Sequence, residues 1–200
     1  NIRADAKWTQ NGVTIAGGNG YGRATNQLNS PFGLFVDDDQ TVVIADWGNH
    51  RIIQWKNAGG NGQGDELNQL NSSTYLVVDR DHSVYVSDSW NNRVMKWVEG
   101  ATEGIVVAGE QGRGSALTQL YYPNGLFVDT LGTLYVVDQV NQRVMRWTQG
   151  ATQGTVIVGG NGQGAGANEF NYPTSLSFDR LGNLYVVDMG NNRVQRFSIE

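Results

Sequence analysis

Four segments of this chain have nearly the same sequence, and they recur at an almost constant interval. Each one contains an alternating apolar run that ends in Asp, a polar turn with Asn, and a second apolar run that begins with Arg. These arginines lie 42, 50 and 50 residues apart, at Arg51, Arg93, Arg143 and Arg193. A repeat of this length predicts an array of equivalent units, because each unit has to bury its apolar face against a neighbour.

The repeat is built from short runs that are typical of β-strands. In the third repeat, residues 124–129, 133–138 and 142–147 are apolar runs bounded by Gly, Asn and Asp; residues 104–109 precede them and residues 154–159 follow. Runs of this length between regularly spaced turn residues predict antiparallel strands, and no segment has a helical period. A period of about 40–50 residues with four such strands predicts an all-β β-propeller with one four-stranded blade per repeat.

A recognisable motif lies at the turn between the second and third strands of each repeat. It reads Asp46-Trp47-Gly48-Asn49-His50-Arg51 in the first repeat. The same spacing recurs at Asp88–Arg93, Asp138–Arg143 and Asp188–Arg193. This motif resembles the NHL repeat, which is marked by Y-V-x-D-x-x-N-x-R-V, and the resemblance covers roughly residues 12–197. It implies one NHL-repeat propeller domain over residues 1–200, but it leaves the function open because NHL domains serve unrelated tasks.

The four Asp–Arg pairs of the motif are interpreted as structural. An Asp at the end of a strand can accept hydrogen bonds from turn amides and from the Arg that starts the next strand. The arginine stem can lie over apolar surface while its head stays paired. Repetition at one position likewise indicates blade packing for the aromatic residues that end the third strands, Trp55, Trp97, Trp147 and Phe197.

Two departures from the repeat concern the completeness of the blades. Eight residues are missing after Trp55 relative to Trp147, so we expect the first blade to lack its outer strand. The chain also begins with a run that resembles an outer strand, residues 12–18. We expect this run to complete the C-terminal blade, either within one chain or in a second copy that closes a larger ring. A larger ring that is completed by further sequence of the same protein is the other alternative. Bulky residues such as Phe35 and Phe127 on the innermost strands favour the wider ring and hence a homodimer.

The sequence offers few groups for catalysis. Its two histidines, His50 and His82, lie at opposite ends of their strands, whereas a zinc site needs several converging ligands. Amidating lyases that share the resembled fold rely on several histidines and a metal, which the two histidines of this chain cannot supply. Lactonase-like propellers, the other enzyme class of this fold, use acidic and Asn ligands in the central channel. Residues 37–39 are three consecutive Asp, which is too few ligands for an EF-type calcium loop. We expect a protein that is not an enzyme and has no metal or cofactor; a metal-dependent lyase or lactonase is the alternative.

Charge and composition restrict the partners. The net charge is −5, and the 14 Lys and Arg residues are spread along the chain. This distribution argues against a nucleic-acid surface and against attachment to an anionic membrane, so RNA binding is the third hypothesis. The chain has no cysteine. One N-glycosylation sequon, Asn71-Ser72-Ser73, slightly favours an extracellular location. The compartment stays unassigned.

One surface remains as a candidate site. In a propeller of this strand order, the turns with the motif and the loops that enter each blade emerge on the same face. Those turns carry Trp47, Trp90, Val140 and Met189, and the nearby Tyr75, Tyr122 and Tyr172 would widen the patch. Apolar and aromatic side chains at loop tips indicate an interaction surface. We therefore predict a non-enzymatic scaffold that binds a protein, a peptide or a glycan; the alternative is that these side chains fold over neighbouring loops.

Overall fold

The structure is a computed structural model that describes residues 6, 9, 13–36, 41–54, 57–59, 62–109 and 111–199. Its strands form four separate antiparallel sheets, one for each repeat, and we call these blades one to four. The described residues contain no α-helix. They also contain no helix that is long and apolar enough to span a membrane.

The strands follow one another in chain order from the innermost to the outermost position of each blade. Blade one contains β1 (Pro31–Val36), β2 (Val42–Asp46), β3 (Arg51–Gln54) and β4 (Asn57–Gly59). Blade two contains β5 (Ser73–Val78), β6 (Val84–Asp88), β7 (Arg93–Trp97) and β8 (Ile105–Ala108). Blade three contains β9 (Pro123–Val128), β10 (Leu134–Asp138), β11 (Arg143–Trp147) and β12 (Thr155–Gly159). Blade four contains β13 (Pro173–Phe178), β14 (Leu184–Asp188) and β15 (Arg193–Phe197).

Local sequence accounts for the turn that joins the first two strands of a blade. In blade three, Asp129 Oδ1 accepts hydrogen bonds of 2.9 Å from the backbone N–H groups of both Leu131 and Thr133. Gly132 has a φ of +75°, a conformation that is costly for residues with a Cβ. The alternating residues of β10 then pair with strands on both sides, which suits β-branched and aromatic side chains.

The blades stack side by side around a shared axis. The innermost strands of all four blades line one central cavity of about 380 Å³. The core consists of three apolar clusters, each between two successive blades. Between blades two and three, for example, Leu126, Val136 and Met145 pack against Val94 and Ala108. The all-β propeller architecture predicted from the repeat is thereby confirmed.

The prediction that the first blade lacks its outer strand is wrong. A short outer strand, β4, pairs with β3, with Ile52 opposite Gly59 and Ile53 opposite Ala58. Blades two and three connect their third and fourth strands through residues 98–104 and 148–154, whereas blade one uses only residues 55 and 56. The missing residues therefore shorten a connection and do not remove the strand. Trp55 itself lies outside the described residues.

The two ends of the array are not joined in the described part of the chain. Blade four has three strands there, and residues 13–18 have no strand assignment. Ile15 and Ala16 instead lie beside blade one, where they line a cavity of about 270 Å³ together with Leu34 and Ile44. The pairing expected between residues 12–18 and the C-terminal blade is therefore absent among the described residues, which do not include residue 12, and it stays a prediction.

Candidate functional site

The four predicted Asp–Arg pairs are present, and their arginines hold the loops that enter each blade. In blade three, Arg143 Nε lies 2.7 Å from Asp138 Oδ2. Its Nη1 donates to the carbonyl oxygen of Ser115 at 2.8 Å, and its Nη2 donates to those of Ala116 and Gln119 at 3.2 Å. The equivalent bonds recur at Arg51, Arg93 and Arg193. Each Arg thus fixes the backbone of a loop rather than any of its side chains.

Each Asp of these pairs is fully buried and accepts two further hydrogen bonds. Asp138 Oδ1 accepts from the backbone N–H of Tyr121 at 2.7 Å, and Oδ2 also accepts from Asn141 Nδ2 at 2.8 Å. Burial raises the pKa of Asp138 and of Asp88 above the ordinary value. Burial acts in the same direction at Asp188, but there the hydrogen bonds outweigh it and the pKa is lowered. The network is therefore a structural anchor in which three donors share each carboxylate.

The residue that precedes each Arg adopts a left-handed conformation. These residues are His50, Asn92, Gln142 and Asn192, with φ between +52° and +55°. This conformation is uncommon for residues other than glycine and turns the side chain away from its own strand. The first three of these side chains reach the next blade along the chain.

The contacts that they make form three inter-blade clasps, each from a side-chain acceptor to a backbone N–H. Ser72 N–H donates to His50 Nδ1 at 3.1 Å, and Tyr122 N–H donates to Asn92 Oδ1 at 3.0 Å. Tyr172 N–H donates to Gln142 Oε1 at 2.8 Å. The donor residues are themselves left-handed, with φ of +60°, +58° and +51°. The clasps join each turn to the entering loop of the following blade, on one face of the array.

The aromatic and apolar side chains singled out from the sequence lie on this same face. We define the loop face by six of them: Trp47, Trp90, Tyr122, Val140, Tyr172 and Met189. Trp47 Nε1 donates to Ser72 Oγ at 2.8 Å, and Trp90 Nε1 lies 3.4 Å from Tyr122 OH. Trp47, Trp90, Tyr172 and Met189 nevertheless stay between 38% and 57% exposed. These turns thus partly fit both interpretations, an interaction surface and side chains that fold over neighbouring loops. The two indoles contact the next loop and still present an exposed surface.

Tyr75 does not belong to the loop face. It lies within β5, which begins at Ser73, and lines the central cavity. Its hydroxyl is 3.4 Å from Ser175 Oγ in blade four. The expectation that Tyr75 lies in the entering loop is therefore wrong, and the sequence of this repeat shows no clear end to that loop.

A groove of about 530 Å³ that was not predicted from the sequence lies between blades two and three, at the opposite ends of the strands. Lys96 Nζ lies 3.3 Å from Asp79 Oδ2 and 4.8 Å from the centre of the Tyr85 ring in this groove. Burial opposes the charges of Asp79 and Lys96, but their mutual contact and further hydrogen bonds lower the pKa of Asp79 and raise that of Lys96. The sequence contained a signal for this groove. Asp79 begins the turn after β5, and Lys96 is a charged residue that alternates with apolar residues along β7.

Acidic, histidine and cysteine side chains are the usual metal ligands of proteins. Within the part of the chain that the structure describes, no three such side chains form a group that could hold a metal ion. Asp37, Asp38 and Asp39 lie outside that part.

Comparison with known proteins identifies the repeat and the fold. Residues 170–197 match the family model of the NHL repeat. No curated protein matches the chain. An auxiliary nutrient binding protein from Bacteroides ovatus has a similar structure, with a TM-score of 0.65 and 14% identity over 89% of this chain and 50% of that one.

Two other solved structures extend the comparison. A structural genomics protein from Bacteroides thetaiotaomicron has a TM-score of 0.62 and 18% identity over 86% of this chain and 48% of its own. A catalytically inactive virginiamycin B lyase from Staphylococcus aureus, with quinupristin, has a TM-score of 0.55 and 15% identity over 88% of this chain and 58% of its own. This chain thus spans about half the length of these proteins, and identities this low show a shared fold alone. Residues 170–197 thus match an NHL repeat, and the likeness of fold shows that the chain is a β-propeller, in which the same Asp–Arg network occurs in all four blades.

Proposed function

We propose that this chain is a non-enzymatic scaffold that binds a protein, peptide or glycan on its loop face. The observation that carries the proposal is the exposure of Trp47, Trp90, Tyr172 and Met189 in blades one, two and four, on one face of the array. Exposed aromatic groups on one face are typical of recognition surfaces, because they bury a large area on binding with few rotatable bonds to order.

The rigidity of this face supports the proposal. Each turn of the first three blades is tied to the next blade by a clasp, and each entering loop is tied by an Arg to the turn of its own blade. A surface that is already ordered loses less conformational entropy on binding than a mobile one. The fold is also shared with a protein described as auxiliary nutrient binding, although at 14% identity this indicates only that such a fold is compatible with binding.

Matched variants on the two faces test the proposal. Peptide-library and glycan-array selections with the wild-type chain would supply ligands, and titration calorimetry would measure their affinities. We expect Trp90→Ala and Met189→Ala each to weaken binding by about 10- to 30-fold, as central interface residues do. Leu131→Ala and Leu181→Ala remove side chains that are equally apolar and even more exposed, on turns at the opposite ends of the strands. Ligands that depend on Leu131 or Leu181 and not on the loop face would contradict the proposal.

The rival hypothesis is a lyase or lactonase on the same fold. It predicts stoichiometric zinc or calcium in the purified protein and turnover of an ester, lactone or peptidyl-hydroxyglycine substrate. Metal analysis together with a screen of these three substrate classes separates the two hypotheses. Turnover that requires the bound metal would overturn the scaffold proposal, whatever the loop-face variants do.

A further inference from the structure

We propose that the groove between blades two and three binds a small primary amine that carries an apolar group and a hydrogen-bond acceptor. The groove has a volume of about 530 Å³, which lies within the range of small-molecule sites in proteins. Its lining residues all belong to the two middle blades. The proposal does not depend on what binds the loop face, because the groove lies at the other ends of the strands. Three features support it: an amphipathic lining, an unpaired charge and a free indole N–H.

The lining of the groove is polar on one side and apolar on the other. On blade two, Tyr85 and Lys96 are cross-strand partners in β6 and β7, and every charged lining group belongs to this blade. On blade three, Leu134 and Trp147 are cross-strand partners in β10 and β11. The exposed Ile105 of β8 adds apolar surface at the outer edge. An amphipathic molecule can therefore contact both kinds of lining at once.

The charges that line the groove do not balance. Lys96 Nζ lies 3.3 Å from Asp79 Oδ2, so these two groups neutralise each other. Asp79 Oδ1 accepts hydrogen bonds from the backbone N–H groups of Asp81 and Ser83 in its own turn. The Asp81 side chain is exposed and has no hydrogen bond or ion pair among the described residues. One negative charge is therefore left over at Asp81, and it favours a cationic ligand.

The charged groups of the groove are departures from the repeat. The counterparts of Asp81 in blades three and four are Leu131 and Leu181, and each of these leucines is 79% exposed. Lys96 corresponds to Arg146 of blade three, which is exposed and forms no ion pair in the part of the chain that the structure describes. The same turns and strands thus fold without Asp81 and without the Lys96 ion pair. Departures that a blade does not need for folding indicate a role particular to this groove.

An indole N–H in the groove lacks an acceptor. Trp147 is only 3% exposed, and its Nε1 has no hydrogen-bond partner among the described residues. Its counterpart Trp97 has an Nε1 that is also unpartnered but completely enclosed. Trp147 Nε1 is not completely enclosed, and the side chain lines the groove. Because an unpaired N–H in a buried side chain is costly, a ligand with an acceptor gains a hydrogen bond here.

These features together define the class of ligand. The ammonium group pairs with Asp81, the acceptor receives the N–H of Trp147, and the apolar group contacts Ile105 and Leu134. Amino-acid amides and the N-terminal residues of peptides share this chemistry, since both have an ammonium group next to a carbonyl oxygen. A free amino acid adds a carboxylate, which the excess negative charge of the groove disfavours.

Titration calorimetry of the full chain with leucinamide tests the site. We expect a Kd of about 0.1–1 mM, as for other ligands of this size. N-acetyl-leucinamide keeps the apolar group and the carbonyl oxygen but has no positive charge, so it should bind about 10-fold more weakly. Leucine should also bind more weakly than leucinamide. Equal affinities of the two amides, or no leucinamide binding at about 10 mM, would overturn the proposal.

Asp81→Leu tests the partner of the ammonium group. Blades three and four carry leucine at this position of the turn, so the variant should fold, and circular dichroism checks that it does. We expect it to bind leucinamide about 10-fold more weakly than the wild-type chain. Asp65→Asn is the control, since it removes a carboxylate that is likewise exposed but lies in an entering loop at the other ends of the strands. An unchanged affinity in folded Asp81→Leu, or an equal loss in Asp65→Asn, would contradict the proposal.

The two sources of such an amine are distinguished by the tripeptide Leu-Gly-Gly. It has the ammonium group, the apolar side chain and the carbonyl oxygen of leucinamide, followed by further peptide. Tighter binding of the tripeptide than of leucinamide would assign the groove to peptide N-termini, and weaker binding would assign it to small amines. Both results support an amine site, provided that Asp81→Leu weakens the binding of each ligand.

A ligand without an acceptor tests the role of Trp147. Isopentylamine keeps the ammonium and apolar groups of leucinamide but has no carbonyl oxygen, so it should bind about 5- to 10-fold more weakly. Trp147→Phe lacks the indole N–H, and this variant should bind the two ligands with similar affinity. A preference for leucinamide that is unchanged in folded Trp147→Phe would show that the acceptor binds elsewhere and would overturn the proposal.

Discussion

Across the junction of the first two blades, the backbone N–H of Ser72 donates a 3.1 Å hydrogen bond to Nδ1 of His50. This bond requires a neutral imidazole, because a protonated Nδ1 is itself a donor. Burial, and then the positive charge of Arg23, lower the pKa of His50 below its ordinary value of 6.5. The unfolded chain therefore takes up a proton at a higher pH than the folded chain does.

We expect the free energy of unfolding to decrease as the pH falls from about 6.5 toward the lower folded-state pKa, and this loss to level off below it. His50→Asn keeps an acceptor like Asn92 and should remove this part of the pH dependence. Urea denaturation followed by tryptophan fluorescence between about pH 5.5 and pH 8 would measure the effect. His82 is present in both proteins and serves as the internal control. Identical pH profiles of the two proteins would refute the prediction.

Ser73 occupies the position that proline has in the other three repeats, at Pro31, Pro123 and Pro173. Its Oγ is buried without a hydrogen-bond partner, and it lies opposite Asp88 as Pro123 lies opposite Asp138. We expect Ser73→Pro to raise the free energy of unfolding by about 1 kcal/mol, because it removes the orphan hydroxyl and restricts the unfolded chain. Ser73→Ala removes only the hydroxyl and should gain less. Chemical denaturation of the three proteins measures both steps, and a less stable proline variant would count against the prediction.

Removal of Asp138 should be strongly destabilising. Asp138→Ala would leave Arg143, Asn141 and the Tyr121 N–H without their shared acceptor in a buried site. We expect a loss of about 3–5 kcal/mol, as for other broken buried ion pairs. Asp129→Ala is the matched control, since it removes a carboxylate that accepts from turn amides at the other end of β10, and it should cost about 1 kcal/mol. Equal losses in thermal or urea unfolding would contradict the role of the buried network.

Two glycines with positive φ separate backbone strain from steric overlap. A methyl group on Gly159 would overlap the Gln142 carbonyl oxygen and lie 2.6 Å from Phe170 Cδ2, whereas one on Gly162 would meet nothing within 4 Å. We expect Gly162→Ala to cost about 1–2 kcal/mol from its left-handed backbone alone. Gly159→Ala adds the overlap and should cost about 3 kcal/mol or more. Unfolding free energies of the two variants measure the difference, and a Gly159→Ala chain as stable as Gly162→Ala would show that the overlap is relieved.

The strands and the Asp–Arg pairs were predictable because the same residues recur at the same positions in every repeat. The clasps were not predicted, since the residue before each Arg varies among His50, Asn92, Gln142 and Asn192. These side chains share two properties that a comparison of identities overlooks: each has a hydrogen-bond acceptor, and each occupies a left-handed position. The clasps that the first three of them form depend on a neighbouring blade, which no single repeat reveals.

The errors at the blade edges have a similar origin. The residues of β4, Asn57–Gly59, include no β-branched or aromatic residue, so their local preference does not indicate a strand. They pair because the short connection delivers them to the open edge of β3. Tyr75 was misplaced because the boundary between the entering loop and β5 depends on pairing with β6. In both cases a tertiary contact, and not the local pattern, decides the outcome.

The arginine anchors have a consequence for how this protein can change. Every bond that Arg93 makes to its entering loop ends on a main-chain oxygen, at Asp65, Glu66 and Gln69, and Arg193 binds Ala165, Gly166 and Glu169 in the same way. Main-chain oxygens are present whatever the side chains are. Mutation can therefore change the exposed side chains of these loops while the anchored backbone stays in place, and a library of such variants could give the same propeller new specificities.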